Sequence, residues 1–198
     1  MRVDGQRARE YRLARSHAAA RSRRDARVNA QDELVTLDEQ DRSLWNREQI
    51  REGLALVEQA LRMRRPGPYQ LQSAIAALHA QAEKAADTDW PQIAALYERL
   101  FAMQPSTVIA LNHAVAVAMG GDLEKGLTLM NELGESGTLD SYYLYHAARA
   151  EILRRLSRPT DAAEAYKRAL SLTANAVERR YLRRRLTSCE PIESQPTC

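Results

Sequence analysis

Cysteine is scarce. The two present, Cys189 and Cys198, both lie in a polar tail with Pro191 and Pro196. A disulfide framework needs more cysteines, set within the fold, so this usage points to a reducing compartment with both thiols idle. Glycine and proline are few as well, at 8 and 7 in 198 residues. That is too little turn chemistry for an all-β design. Long apolar runs are also missing: the longest, Val108 to Met119, is interrupted by Asn112 and His113 and falls short of the ~20 residues a membrane span needs. The first 28 residues carry nine arginines and no apolar stretch, which argues against a secretory signal.

What the chain does contain is helix-forming. Alanine (32) and leucine (24) far outnumber valine (8) and isoleucine (6), the reverse of a strand composition. With 44% hydrophobic residues, 198 residues suffice for one continuous core. The expectation is an all-α protein of the cytoplasm, away from membranes.

The net charge of +3 conceals a pattern. Residues 1–28 carry +6, residues 29–146 carry −8, residues 147–186 carry +7, and Glu190 and Glu193 make the tail acidic. Arg179, Arg180, Arg183, Arg184 and Arg185 form a dense cluster. Such a cluster attracts phosphate through counterion release, but a solvated helix face is the more ordinary reading. No aromatic interleaving accompanies it, so sequence-specific nucleic-acid binding by this chain alone is not expected.

Helix signals recur with short gaps. Asn46 with Gln49 forms a capping box before Ile50, Leu54, Val57 and Leu61. After Arg65-Pro66-Gly67-Pro68 a helix carries Leu71, Ile75 and Leu78 to about Lys84. Asp89 caps a third, with Trp90, Ile93, Tyr97 and Leu100, which Pro105 closes. Val108–Met119 ends at Gly120-Gly121; Asp122 caps the next helix; another spans about Leu139 to Leu156. Pro159 opens the seventh, and Asn175 with Glu178 caps the last. Eight helices follow one another. Trp90, Tyr97 and Leu100 are expected to pack on the helix of Leu71, Ile75 and Leu78. Residues 29–44, with Leu34, Val35 and Leu37 among acids, read as an extended connector. Residues 1–30 form a separate arginine-rich segment that could be helical, residues 31–186 the helical domain, and residues 187–198 a disordered tail.

The helices pair with a period. Ala162, Tyr166 and Ala169 fit the small–aromatic–small spacing of the second helix in a tetratricopeptide repeat, with Ala174 where proline is usual. Ile93, Tyr97, Leu100 and Pro105 fit it again, and Gly126, Met130 and Leu133 stand between. The central residues lie 33 and 36 apart, close to the ~34 of that repeat. The resulting fold class is a right-handed stack of antiparallel helix pairs with a groove suited to a protein partner. A bundle without a groove is the competing arrangement.

Chemistry is sparse. None of His17, His79, His113 and His146 has a histidine four residues on, and no Cys or carboxylate grouping has metal-ligand spacing. His79 and His146 sit among alanines and read as packed or hydrogen-bonded helix residues. Asp38, Glu39 and Asp41 could hold a cation, but capping of the helix at Asn46 is the plainer account. Neither catalysis nor a cofactor or metal is expected. Asn112 stands out, because an amide on an apolar helix is costly unless hydrogen-bonded; it either ties neighbouring helices together or reads a partner's backbone in the groove.

Several longer runs resemble a known family. They are Leu34-Val35-x-Leu37-x-x-Gln40-Asp41-Arg42-Ser43-x-Trp45, Arg65-Pro66-Gly67-Pro68-Tyr69-Gln70-Leu71-Gln72, Thr88-Asp89-Trp90 and Ala110-Leu111-Asn112-x-Ala114-Val115. Further on come His146-Ala147-Ala148-Arg149-Ala150 and Glu178-Arg179-x-Tyr181-Leu182-x-x-Arg185-Leu186. Together they resemble the carboxy-terminal tetratricopeptide-like extension of a group of bacterial extracytoplasmic-function RNA polymerase sigma factors, over residues 31–186. His113 stands where that family usually has arginine, and Met119-Gly120 replaces an acidic residue. The two DNA- and polymerase-binding regions that precede the extension are missing, so the resemblance implies a regulatory module of transcription initiation rather than an initiator. Its implied partners are sigma-factor core regions, RNA polymerase or a regulator. Candidate partner contacts are Asp41, Arg42, Trp45, Tyr69, Asn112, His146, Arg149, Arg179, Arg183 and Arg185.

Overall fold

A computed structural model describes residues 22–23, 26–29, 33–51, 54–55 and 67–189. Most of the arginine-rich segment 1–30, the positions of Val57 and Leu61, and residues 190–198 lie outside the described residues. Among the described residues the protein is all-helical with no strand; Val28 and Leu34 form a single isolated β-bridge.

A helical stretch at 47–51 begins where Asn46 Oδ1 accepts from the Gln49 amide at 3.0 Å. Seven helices follow: α1 (Pro68–Gln81), α2 (Trp90–Met103), α3 (Thr107–Met119), α4 (Leu123–Gly134), α5 (Tyr143–Arg155), α6 (Pro159–Leu172) and α7 (Ala176–Thr187). Their starts follow local chemistry. Proline occupies the first turn of α1, α2 and α6, where its missing N–H costs nothing. Asp89 and Asp122 accept from the amides of Gln92 and Lys125, and Asn175 accepts from those of Val177 and Glu178. Each satisfies an amide that the first helical turn leaves open. The Glu178 carboxylate does not complete its capping box and accepts instead from the Thr173 hydroxyl at 2.6 Å.

Each helix packs chiefly on its sequence neighbours, and α3 also touches α5 across the intervening α4. This is the contact pattern of stacked helix pairs, an all-α helical repeat. Most positions of the periodic motif lie in the core: Ala162, Tyr166, Ala169, Met130 and Ile93 are fully buried and Leu100 nearly so, whereas Tyr97 and Leu133 are half-buried. Leu71 and Ile75 of α1 pack with Ile93 and Leu100, flanked by Leu78, Trp90 and Tyr97, as expected. No helix among the described residues is long and apolar enough to cross a membrane.

The small residue of the motif has a steric reason in α4. A Cβ on Gly126 would stand 2.5 Å from the Ala118 Cβ and 2.9 Å from the Ala114 carbonyl oxygen. Helices α3 and α4 meet backbone to backbone there. Gly126→Ala is expected to lower stability by about 1–3 kcal/mol despite alanine's better helix propensity. Thermal unfolding checks this, and Ala118→Gly in the same chain should return part of the loss.

Three boundaries differ from expectation. Helix α5 begins at Tyr143 rather than near Leu139. Leu139 is buried outside the helix, and the Asp140 carbonyl faces the His146 ring and the Arg168 guanidinium, at 3.1 Å from each. Helix α1 stops at Gln81 rather than Lys84, for a reason given below. The folded chain also continues past residue 186: α7 runs to Thr187, and Cys189, expected to be idle in a polar tail, is buried against the core.

Candidate functional site: a strapped groove

Residues from α1, α3, α5 and α7 converge on one cavity of about 290 Å³. His79, Asn112, Glu151, Arg155, Tyr181 and Arg185 line it, with Trp90 and Tyr97 of α2 and residues 36–38 of the connector. Alternate helices of the stack therefore share one face, and that face is a groove. Asn112 is not on a buried face as the sequence suggested; its residue is exposed, and its side chain borders the cavity. The cause lies in α3, whose alanines and valines are apolar all round, so helical period alone could not tell the core side from the groove side.

The connector 33–45 crosses this groove as a strap. At the α1 end it is fixed by Arg42, which is only 5% exposed. Its Nη1 donates to the carbonyls of His79 and Ala82, at 3.0 and 2.7 Å. Its Nη2 donates to the Thr88 hydroxyl at 3.0 Å. The guanidinium therefore caps the carboxyl end of α1, where helix carbonyls lack intrahelical donors, and this is where α1 stops. Trp45, 2% exposed, lies beneath that guanidinium, 4.8 Å from ring centroid to Arg42 Cζ, and packs with Ile50 and Ala80. Asp41 caps the short 3-10 turn Arg42–Leu44 by accepting from the Ser43 amide.

At the other end the strap meets α5 and α7. Leu34 packs on the core that includes Tyr181 and Leu182. Three carboxylates reach the arginines: Asp38 pairs with Arg155 at 2.8 Å, Glu39 with Arg185 at 2.7 Å and with Arg184 at 3.5 Å, and Glu33 with Arg184 at 3.6 Å. Arg185 Nε also donates to the Tyr181 hydroxyl at 3.2 Å. The acidic cluster thus forms long-range ion pairs through Asp38 and Glu39, while Asp41 makes a local cap. The cap at Asn46 does not involve it.

Glu151 is the hub beneath. It accepts from Arg154, from Arg155 and from the Tyr166 hydroxyl, joining α5 to α6. Burial alone would raise its pKa; the hydrogen bonds from Arg154 and Arg155 and the charges of Arg154 and Arg185 outweigh it and bring it to about 2. Tyr166 is held protonated, first by burial and then by Glu151. His79 goes the other way: burial, then the charges of Arg23 and Arg42, lower it to about 4. Its neutral ring packs edge-on against Trp90 at 5.1 Å.

The remaining candidates are dispersed. Tyr69 is exposed on the first turn of α1. Arg149 donates to Asn131, and Arg179 caps the end of α6 through the Leu170 and Thr173 carbonyls. Arg183 is exposed. Arg42 and Trp45 are spent inside the fold, out of reach of a partner. The groove gathers Asn112 and Arg185 from the candidates and adds Trp90, Tyr97, Arg155 and Tyr181. The last four could not be found from local spacing, because they converge only once the stack forms.

Trp90 is half-buried, one side on His79 and the other on the cavity. Trp90→Ala should therefore cost about 2 kcal/mol, less than the 3–5 kcal/mol of a fully buried indole. Urea unfolding monitored by circular dichroism measures it.

These features define an all-α helical-repeat protein whose groove is crossed by its own acidic strap. Residues 14–61, which include the strap, match a family of unknown function (DUF6596). Over 165 residues the chain is 47% identical to an uncharacterized protein of Rhizobium meliloti (strain 1021), an alignment covering 83% of this chain and 38% of that relative. The chain thus spans little more than a third of the length of the curated relative it matches. No solved structure matches it.

Proposed function

We propose that this chain is a non-catalytic, tetratricopeptide-like regulatory module of transcription initiation, acting in the cytoplasm through protein–protein contacts. The reading rests on the resemblance of residues 31–186 to the carboxy-terminal extension of extracytoplasmic-function sigma factors. The structural observation that carries it is the groove: helices α1, α3, α5 and α7 present one common face, with the Asn112 amide exposed upon it. A face assembled from alternate helices of a stack is suited to holding another polypeptide. The partner would be sigma-factor core regions, RNA polymerase or a regulator bound to them.

Pull-down of core RNA polymerase, alone and with sigma core regions, tests the proposal. Retention that is lost with Asn112→Asp supports it; no retention in either case overturns it. In vitro transcription with core polymerase and this chain alone should give no promoter-dependent transcript, because base-edge readout needs parts that the described residues do not supply. Seating of the strap, which turns at residues 36–40 rather than running extended as the sequence suggests, favours a second reading, a scaffold that binds a peptide or protein partner outside transcription. Peptide binding without polymerase binding would select it.

A further inference from the structure

The strap is held very differently at its two ends. At the α1 end Arg42 and Trp45 are buried, and Arg42 is fixed by hydrogen bonds to main chain and to Thr88. At the α5 and α7 end the attachment is Leu34 and ion pairs whose side chains keep 16–46% of their surface in water. Solvent-exposed pairs are individually weak and salt-screened. Within 33–41 the main chain bonds to itself, from the Glu39 and Gln40 amides to the Thr36 carbonyl, and to the preceding residues 27–29, from the Val35 amide to the Arg27 carbonyl and from the Asn29 amide to the Glu33 carbonyl; none of these bonds reaches α5 or α7. A firm hinge followed by a weak, charge-held end is the construction of a releasable latch.

We propose that residues 33–41 are an intramolecular occupant of a peptide-docking site, and that the site's external ligand is a short acidic peptide segment. The bound strap displays the recognition chemistry. It needs carboxylates for Arg155, Arg184 and Arg185, and a branched apolar side chain set, as Leu34 is, in the wall of a second cavity of about 250 Å³ that Tyr143, Ala147 and Leu182 also line. Arginine is suited to this task because its planar fork engages carboxylates with defined geometry. The apolar requirement distinguishes this ligand from nucleic acid, which would meet the same charges with phosphate. Release of the strap and entry of the ligand are one competition, so docking is suppressed in the closed chain and favoured when the strap's charge is neutralised. The inference does not depend on a role in transcription.

The test uses the full chain and a fluorescent nonapeptide with the sequence of residues 33–41. At 0.1 M salt the unaltered chain should bind it weakly. The chain carrying Glu33→Gln, Asp38→Asn and Glu39→Gln should bind at least 10-fold more tightly. Adding Arg155→Ser and Arg185→Ser should abolish that gain, and a peptide with its acids amidated should bind neither chain. Equal affinity for the unaltered and strap-neutralised chains, or binding that survives loss of the arginines, would overturn the proposal. So would displacement of the peptide by random duplex DNA at equal charge concentration. Hydrogen exchange on the unaltered chain guards against misfolded variants. Protection of the Val35, Glu39 and Gln40 amides should fall at least 10-fold between 0.1 and 1 M NaCl while α5 and α6 are unchanged; unresponsive strap amides would also refute the latch.

Discussion

Arg42→Leu is expected to destabilise the protein by about 2–4 kcal/mol, the cost of leaving buried acceptors without their charged donor, partly offset by removing a desolvated charge. The His79 and Ala82 carbonyls and the Thr88 hydroxyl would each lose a charged donor. Trp45 would lose the cation above its ring. Arg42→Lys should recover only part of the loss, because an ammonium cannot span two carbonyls and a hydroxyl as the guanidinium fork does. Chemical denaturation of the three chains checks the order, and a loss below about 1 kcal/mol for the leucine variant would contradict this account. Since Arg42 both ends α1 and anchors the strap, the leucine variant should also expose residues 33–41 to protease.

Acidification should destabilise the protein in two stages. An unfolded histidine takes up its proton near pH 6.5, whereas folded His79 waits until about pH 4. Between those values the unfolded chain holds more protons, so stability falls as pH falls through that window, by about 3 kcal/mol in total. Below it Glu151 takes over. Its folded value is about 2 against an ordinary 4.5, so stability present above pH 4.5 is lost as pH drops toward 2. Urea midpoints measured from pH 7.5 to 3 should follow both stages. His79→Gln should flatten the first and leave the second; a profile flat from pH 6.5 to 4 in the unaltered chain would show that His79 protonates without cost.

The division between what could and could not be read from the sequence is physical. Asn46, Asp89, Asp122 and Asn175 were legible as caps because a cap bonds amides two or three residues ahead. The Gly126, Met130 and Tyr166 positions were legible because a repeating stack imposes the same packing at each period. The strap was not. Asp38 and Arg155 are 117 residues apart, and Glu39 and Arg185 146, and no local rule links charges at such separation. Arg42 and Trp45 stand in a distinctive run, yet only the fold assigns them to the end of α1. A polar, proline-containing neighbourhood masks the burial of Cys189 at the end of α7.

The strap also changes how the stack can bend. A solenoid whose helices touch mainly their neighbours is compliant, since small rotations at successive interfaces add along its length. Residues 33–45 lie across the groove, gripping α1 through Arg42 and α5 and α7 through Asp38 and Glu39; where a helical stack curves around such a groove, they are placed as a chord across the arc. Flattening the arc lengthens the chord, so the ion pairs resist it directly and the curvature is clamped while they hold. Salt, or a competing acid, slackens the chord and returns the arc to its own softer elasticity. Ionic contacts at the surface thereby add a salt-dependent part to the stiffness that the packed helix interfaces supply.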